Sequence, residues 1–190
     1  PTQTVPTEEP PRVVVIGDSH SLADRPGTWV GAAAEELGWG KVDNLSSPGR
    51  GYVVKPRSCD FEPCDNFVGS VSTIVKKSPD IVVSFGGTAD GDRSIEQGAN
   101  DYFKALRKAL PEAQLVAINP VTSNAVVPER MAEHSRLIKR AVESVDGVFI
   151  DVGQPGVGDG QSLSKKTQAK IAGIVVQELS SLKPSSEETS

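Results

Sequence analysis

The 190-residue chain is poor in the residue types from which many functional sites are built. It contains two cysteines, two histidines, one methionine and only 5% aromatic residues. The cysteines, Cys59 and Cys64, form a C-x4-C pair with no second pair of cysteines or histidines beside it, which makes a zinc site a poor interpretation. We therefore expect no metal site.

Long apolar runs and runs of positive charge are also missing. No apolar stretch approaches the length of a membrane-spanning helix, and we expect no signal peptide. The formal net charge of −5, with no basic run, argues against nucleic acid as a partner. A hydrophobic content of 37% with 24% charged residues is ordinary for a single soluble domain of this length.

The two ends and the cysteine loop differ from the rest of the chain. Residues 1–11 and 183–190 are rich in Pro, Ser, Thr and Glu, so we expect a linker and a disordered tail around a folded body at 12–182. Cys59 and Cys64 lie in a Pro-containing loop and can close a small disulfide, which we expect over two free thiols. A disulfide would place the domain outside the cytoplasm.

Five apolar, strand-like runs alternate with five helical patterns. The expected strands are Val13–Ile16, Val42–Leu45, Ile81–Phe85, Leu115–Ile118 and Val148–Ile150. The expected helices are Trp29–Leu37, Phe67–Lys76, Ile95–Leu110, Glu129–Ser144 and Lys165–Leu179. Continuously apolar strands between helices predict an α/β fold, a three-layer α/β/α sandwich around a five-stranded parallel sheet.

Several helix ends carry their own sequence signals. Gly38 is expected at the carboxyl end of the first helix, and Ser164 is expected to cap the last helix. Ser94 and Gln97 have the spacing of a capping box before the third helix. The two tryptophans, Trp29 and Trp39, flank the first helix and are expected in the core and at its rim.

The most informative segment is V-V-V-I-G-D-S-H, residues 13–20. A buried strand that ends in Gly17 and Asp18 holds the Ser19 hydroxyl at the carboxyl edge of the sheet, where sites of parallel α/β sheets lie. Backbone N–H groups at the start of a following helix would surround that hydroxyl. Ser19 is therefore the candidate nucleophile. The other loops expected at this edge are 46–52, 86–90, 119–124 and 151–162.

These motifs resemble, in order, those of the SGNH (GDSL-type) hydrolases. Gly17-Asp18-Ser19 is similar to the family's first block, whose serine is the nucleophile. Gly49 in N-L-S-S-P-G-R-G-Y matches the glycine of the second block, with Gly51 as the less favoured alternative. Gly87-Thr88-Ala89-Asp90 stands where the third block reads G-x-N-D, and D-G-Q-S, from Asp159 to Ser162, where the family has D-x-x-H. The resemblance implies the flavodoxin-like SGNH fold and covers almost the whole body.

Two of the matched positions depart from the family. Ser162 stands where the resemblance places the catalytic histidine, and a serine hydroxyl is not a base at neutral pH. Ala89 stands where the family asparagine donates its side-chain amide to the oxyanion, and alanine has no such donor. The donors that remain are the backbone N–H groups of Ser19 and Gly49. We therefore expect catalysis by the family mechanism to be impaired.

Neither histidine is an obvious replacement for the base. His20 is next to Ser19 in the chain, and we expect it to line the cleft as a turn residue. His134 lies in a charged helical stretch and is expected to face solvent. Asp18 and Asp90 are expected to brace their loops.

Arg50 and Asp159 have both functional and plain structural interpretations. Arg50 could contact an anionic or sugar ligand, but a solvated surface arginine is the favoured interpretation. Asp159 would orient a histidine, and without one it is either a relic or an ion-pair partner, for instance of Arg50 or Lys165.

The ending G-D-S-H-S also resembles the extracytoplasmic SGNH domains that are joined to membrane-bound acyltransferases. That resemblance implies a membrane-bound acyltransferase module on the N-terminal side, a glycan or acyl-glycan ligand and a monomeric domain. Two hypotheses follow: an impaired domain that binds or positions its ligand, and an active esterase or O-acyltransferase in which Ser19 uses a relocated base.

A nucleotide-binding, flavodoxin-like module is the third hypothesis, because it would share the sheet topology. The chain has no G-x-x-x-x-G-K-[ST] motif and no G-x-G-x-x-G after its first strand. We therefore expect no cofactor.

Overall fold

The computed structural model describes residues 8–182. The strands are β1 (Val13–Gly17), β2 (Val42–Asn44), β3 (Ile81–Phe85), β4 (Gln114–Ile118) and β5 (Val148–Ile150). The α-helices are α1 (Trp29–Leu37), α2 (Val71–Lys76), α3 (Glu96–Ala109), α4 (Arg130–Glu143) and α5 (Lys165–Ser180). The segments 1–7 and 183–190, which belong to the predicted linker and tail, lie outside the described residues.

The five strands form one parallel sheet in the order β2-β1-β3-β4-β5. In the centre, Gly17 of β1 pairs with Phe85 of β3, and Phe85 pairs with Ile118 of β4. The carboxyl ends of β1, β3 and β4 are therefore level with one another. The chain leads from β1 outward to β2 on one side and from β3 outward to β4 and β5 on the other, so a topological switch point lies between β1 and β3, where α/β sheets place their ligands.

Helices cover both faces of the sheet. Val14 and Ile16 of β1 pack into a core with residues of α2, α3 and α4, whereas Val13 and Val15 pack into a second core with residues of α1 and α5. Alternate strand residues are thus buried on opposite faces, as they must be in a sheet that is covered on both sides. The predicted three-layer α/β/α sandwich is confirmed.

The return of the chain to the face of the sheet covered by α1 shapes the candidate site. Helix α5 follows β5 at one edge of the sheet but packs against α1. The backbone N–H of Trp29 donates to the side chain of Gln168 at 2.8 Å, which ties the beginnings of the two helices. The loop from β5 to α5 therefore crosses the carboxyl edge of the sheet toward β1.

The signals at helix ends differ in outcome. Gly38 ends α1 with φ +66°, and the Ser164 hydroxyl accepts from Thr167 N–H at 3.1 Å, so both predictions are confirmed. The predicted capping box is wrong: α3 has Ile95 at its N-cap, and no side chain caps it. The helix predicted from Phe67 begins as a 3-10 turn, Val68–Ser70, before α2.

The cysteines are joined as predicted. Cys59 and Cys64 form a disulfide with a Cα–Cα distance of 5.5 Å. Trp29 is fully buried and Trp39 is 9% exposed, which confirms their predicted places in the core and at its rim. Among residues 8–182, no helix combines the length and the apolarity needed to cross a bilayer.

Candidate functional site at the carboxyl edge of the sheet

Ser19 lies directly beyond β1, in the 3-10 turn Ser19–Ser21, with its side chain exposed. The turn begins at Asp18, whose carboxylate accepts the backbone N–H of His20 at 2.9 Å. Gly17 is required before it, because a Cβ there would lie 2.5 Å from the carbonyl oxygen of Phe85. Asp18 thus braces the turn as predicted, and the close approach of two strands fixes where the serine emerges.

Two backbone donors stand open at this edge. Within residues 8–182, the N–H groups of Ser19 and Gly49 donate to no other protein group. Gly49 has φ +79°, a conformation that favours glycine, in the loop after β2. That loop is attached to the end of β1, since Ser47 N–H donates to the carbonyl of Gly17 at 3.0 Å. Open N–H groups of this kind can stabilise a carbonyl oxygen or an oxyanion.

Asp90 holds the second and third loops together, as predicted. Its carboxylate accepts the backbone N–H groups of Tyr52, Val53 and Val54 at 2.9, 3.0 and 3.3 Å. Burial raises the pKa of Asp90, and these hydrogen bonds oppose the rise. Gly51 leaves room for the carboxylate, because a Cβ there would lie 2.2 Å from its Oδ1 atom. Gly51 is therefore explained by packing, whereas Gly49 carries the open donor.

Arg50 is fully buried, so the favoured prediction of a solvated surface arginine is wrong. Its Nη1 donates to the carbonyls of Leu45 and Gly17, and its Nε donates to the carbonyl of Asp65 at 3.1 Å. Its Nη2 contacts the sulfur of Cys59 at 3.7 Å. These acceptors occupy the guanidinium, which links the ends of two strands to the cysteine loop.

The charge of Arg50 is held in an environment that disfavours it. Burial lowers the pKa of Arg50 to about 10, while the nearby charge of Asp18 acts in the opposite direction. The arginine makes no ion pair within 4.0 Å in the described part of the chain. It therefore adds positive potential beneath the turn that carries Ser19 without itself reaching the cleft.

His20 lies close to Asp18, with its Nδ1 atom 3.6 Å from Oδ1 of the carboxylate. Its side chain is 10% exposed, and its ring centroid lies 6.3 Å from that of Phe85. The Nδ1 atom is buried and has no hydrogen-bond partner among the described residues. Burial raises the pKa of Asp18, and interaction with His20 opposes that rise. His20 is thus a turn residue packed against the end of β3.

His134 is buried, which contradicts the prediction that it faces solvent. It lies on α4, and its Nε2 is 2.8 Å from the carbonyl oxygen of Gly91, just after the third-block loop. The charged residues around it, Glu133 and Arg136, are exposed, and His134 occupies the inner face of the helix. It supports the loop that contains Ala89 and Asp90.

Asp159 has a structural role that neither earlier interpretation anticipated. Its Oδ2 accepts from the backbone N–H of Ser164 at 2.9 Å and from the hydroxyl of Thr167 at 2.6 Å. These hydrogen bonds lower its pKa. It makes no ion pair with Arg50 or Lys165 in the described region, so the predicted pairing is wrong. The carboxylate instead braces the beginning of α5.

Ala89 and Ser162, the two positions that differ from the motifs of the resemblance, lie in the loops that follow β3 and β5. Ser162 is exposed in the loop between β5 and α5, three residues after Asp159. Ala89 lies in the 3-10 turn Thr88–Asp90 after β3, and its methyl group cannot donate a hydrogen bond. Across residues 8–182, no side chain hydrogen-bonds to the Ser19 hydroxyl.

Sequence reasoning missed several polar residues that build this edge. Asn119 joins two loops, since its Oδ1 accepts from Val152 N–H at 2.7 Å and its Nδ2 donates to the carbonyl of Gly153 at 3.0 Å. Thr167 is buried beneath Asp159. The sequence indicates these residues only by their positions: Asn119 directly follows β4, and Thr167 lies in the first turn of α5. Among the described residues, no group of His, Cys, Asp and Glu side chains is arranged to hold a metal ion.

No protein-family model and no curated protein sequence matches this chain.

Solved structures, in contrast, share its architecture. A carbohydrate acetylesterase from Sinorhizobium meliloti superposes with a TM-score of 0.73 at 17% identity, over 91% of this chain and 100% of that one. An inhibitor-bound aryl esterase from M. smegmatis superposes with a TM-score of 0.71 at 14% identity, over 91% and 100% of the two chains. A family two carbohydrate esterase from Cellvibrio japonicus superposes with a TM-score of 0.66 at 17% identity, over 95% of this chain and 64% of that one. The predicted SGNH-type hydrolase fold is therefore confirmed.

Proposed function

We propose that this chain is an extracytoplasmic SGNH-type domain that binds acyl-ester groups of cell-envelope glycans or glycolipids at Ser19. In this proposal the domain is impaired in hydrolysis and binds its ligand or positions an acyl acceptor. One observation carries the proposal: the exposed Ser19 and the Ser19 and Gly49 N–H groups, which donate to no described protein group, lie in the loops that follow β1 and β2, but the residue in the position of the base is Ser162.

The sizes of the missing contributions favour binding over turnover. Loss of one oxyanion donor costs on the order of a hundred- to a thousandfold in rate. Removal of the triad histidine of subtilisin costs roughly a millionfold. Ala89 and Ser162 occupy the two corresponding positions in this chain. The N–H groups of Ser19 and Gly49 still suit the carbonyl oxygen of a bound ester, which needs donors but no base.

The ligand class and the location are supported by separate observations. The fold is shared with esterases whose substrates include carbohydrates, which supports an esterified glycan as the ligand. The disulfide between Cys59 and Cys64 supports an oxidising compartment. The resemblance of G-D-S-H-S to domains joined to membrane-bound acyltransferases supports such a module as a partner, on the N-terminal side of a monomeric domain.

The test combines a rate with a binding measurement on the purified protein. We expect no hydrolysis of p-nitrophenyl acetate that depends on Ser19, judged against Ser19→Ala. We also expect methyl 6-O-acetyl-glucoside to shift amide resonances of the loops at 17–20 and 47–51. Ser19→Trp should abolish these shifts, because the indole replaces the Ser19 hydroxyl with a bulky side chain at the position where the ligand is proposed to bind, whereas Ser180→Trp, at the far end of α5, should not. Absence of any shift at these loops would reject the proposed binding.

A second candidate function is an active esterase with His20 as a relocated base. The observation in its favour is the approach of His20 Nδ1 to the Asp18 carboxylate at 3.6 Å, since a carboxylate orients the base in serine hydrolases. Labelling of Ser19 by a fluorophosphonate, lost in His20→Ala, would establish this function. The same result would reject the proposal that the domain is impaired in hydrolysis.

A further inference from the structure

Exposed apolar side chains are concentrated at the edge that carries Ser19. Six large apolar residues of the described chain are exposed, and four of them lie in loops at the carboxyl edge: Leu22, Val126, Val127 and Val157. Val126 is 76% exposed, which is a high value for a valine. Ala125 and Pro128 beside it are exposed as well. We call Ala125–Pro128 together with Val157 the apolar rim.

The apolar rim is built by two loops that are bonded to each other. Gly158 N–H donates to the carbonyl of Asn124 at 2.8 Å, and Gly160 N–H donates to the carbonyl of Ser123 at 2.8 Å. The Ser123 hydroxyl donates back to the carbonyl of Gly160 at 2.7 Å. The loop after β4 and the loop after β5 are therefore held side by side. Their valines belong to one surface and not to two separately mobile loops.

This surface contains no charge. Residues 124–128 read N-A-V-V-P and residues 152–158 read V-G-Q-P-G-V-G, so neither segment offers a charged side chain to a ligand. The donors near Ser19 and Gly49 suit the carbonyl of an ester, whereas the apolar rim suits only an apolar group. The two parts of the edge therefore favour a ligand with a polar ester and an apolar extension.

The spacing of the strands gives the scale of that extension. Strand β4 is separated from β1 by β3, so the ends of β1 and β4 are roughly 10 Å apart at about 4.8 Å per step. An extended acyl chain of about eight carbons spans this distance, because each carbon–carbon bond of about 1.5 Å advances the chain by roughly 1.3 Å. An acetyl group has one carbon beyond its carbonyl and would cover only a small part of this distance.

We propose that the apolar rim binds the acyl chain of the ligand whose ester carbonyl lies at Ser19, and that this chain is much longer than an acetyl group. The inference rests on the proposed function and narrows its ligand class from acyl esters in general to esters of longer acyl chains. No covalent step is involved. The selectivity comes from apolar surface removed from water along the rim.

The experiment compares two esters on the isotope-labelled protein by NMR titration. The probes are methyl 6-O-octanoyl-glucoside and methyl 6-O-acetyl-glucoside, with octyl glucoside as a chain of similar length that lacks the ester. Six additional methylene groups, even if only partly buried, should make the octanoyl ester bind about tenfold or more tightly than the acetyl ester. Its titration should shift resonances of both Gly49 and Val126.

Variants of exposed residues locate the effect. Val126→Ser should weaken octanoyl-ester binding by roughly three- to tenfold and leave acetyl-ester binding unchanged, since only the chain contacts the apolar rim. Leu182→Ser is the matched control, because Leu182 is 46% exposed at the opposite edge. Neither substitution removes a buried group, so both proteins should fold.

The outcomes separate this inference from the proposed function. Equal affinity for the two esters, or an equal effect of Val126→Ser on both, would overturn the inference while acetyl-ester binding at Ser19 upheld the function. Octyl glucoside binding as tightly as the octanoyl ester, or octanoyl binding that survives Ser19→Trp, would show an unselective apolar surface and would also overturn it. If neither ester shifts the loops at Ser19 and Gly49, the proposed function itself fails.

Discussion

At the scale of single residues, the candidate site has groups that can hold a ligand, but at two positions it has other residues where the resemblance implies catalytic groups. The holding groups are present: Ser19 is exposed, and the Gly49 N–H is open at φ +79°. In the proposed function the base and one oxyanion donor are missing, because Ser162 and Ala89 stand at the positions that the resemblance assigns to them. The carboxylate that would orient a histidine is still there, because Asp159 uses only its Oδ2 atom in hydrogen bonds within the described structure.

That free carboxylate oxygen makes repair of the catalytic machinery a direct prediction. In Ala89→Asn/Ser162→His, the new histidine can donate to Asp159 Oδ1 and accept the Ser19 proton, and the new amide supplies the third oxyanion donor. We expect hydrolysis of p-nitrophenyl acetate at least about a hundredfold faster than by the unmodified chain, a modest fraction of the cost of the two losses. Adding Ser19→Ala should remove the gain. A repaired protein that folds but hydrolyses no faster would mean that position 162 does not reach Ser19.

Residue by residue, sequence reasoning succeeds where a local pattern decides the outcome. The G-D-S turn follows from a strand that must end where Gly17 meets Phe85, and the disulfide follows from two cysteines in one short loop. It fails for Arg50 and His134, because their burial depends on elements distant in the chain. Arg50 is enclosed by carbonyls of residues 17, 45 and 65, and His134 is held by Gly91, on the loop that follows β3.

At the scale of elements, Asp159 stabilises the beginning of α5, which is a role that the resemblance does not imply. Ser164 caps the helix by accepting Thr167 N–H, and Asp159 accepts Ser164 N–H and the Thr167 hydroxyl. The aspartate thus contributes to helix stability even where it orients no histidine. The boundaries of α5 were predictable because the cap is a local signal. The start of α2 was less so, because the segment from Val68 to Ser70 forms a 3-10 turn before the α-helix begins.

The role of Asp159 predicts a pH dependence with a definite sign. Its pKa is lowered in the folded protein from the ordinary value of 3.8, so its ionised form stabilises the fold. That contribution is present above about pH 4 and is lost as the pH falls through the depressed folded pKa. We expect the unfolding free energy of Asp159→Ala to be lower than that of the unmodified protein at pH 7, and the difference to be smaller at pH 2. Denaturant titrations at both pH values measure the difference.

The control for this pH dependence is Glu178→Ala, an exposed acid near the other end of the same helix. Its difference from the unmodified protein should stay small at both pH values. A constant deficit of Asp159→Ala from pH 7 to pH 2 would contradict the assignment, because a lost side-chain contact that does not titrate would then explain the effect.

At the scale of the whole molecule, the sheet and its two cores are built mainly from residues outside the loop that carries the disulfide. One core joins β1 to α2, α3 and α4, and the other joins it to α1 and α5. The cysteine loop contacts the first core through the partly buried Phe61, and its Cys59 contacts Arg50, which hydrogen-bonds to carbonyls at the ends of β1 and β2. The topology was predictable because a doubly covered parallel sheet requires continuous apolar strands. The path of this loop was not, since it depends on the contacts of Phe61 with the first core and of Cys59 with Arg50, which no local pattern indicates.

The disulfide should therefore stabilise the molecule locally and modestly. Cys59 and Cys64 are separated by 5 positions. Closing a loop of about six residues is worth roughly 2 kcal/mol by the chain-entropy relation. We expect Cys59→Ser/Cys64→Ser to unfold cooperatively with the same far-ultraviolet circular dichroism and a free energy of unfolding about 2 kcal/mol lower. The unmodified protein in reductant should lose a similar amount, and the double variant should not respond to reductant. Collapse of the whole fold on reduction would show instead that the cysteine loop, through Arg50, holds the strand ends together and with them the turn that presents Ser19.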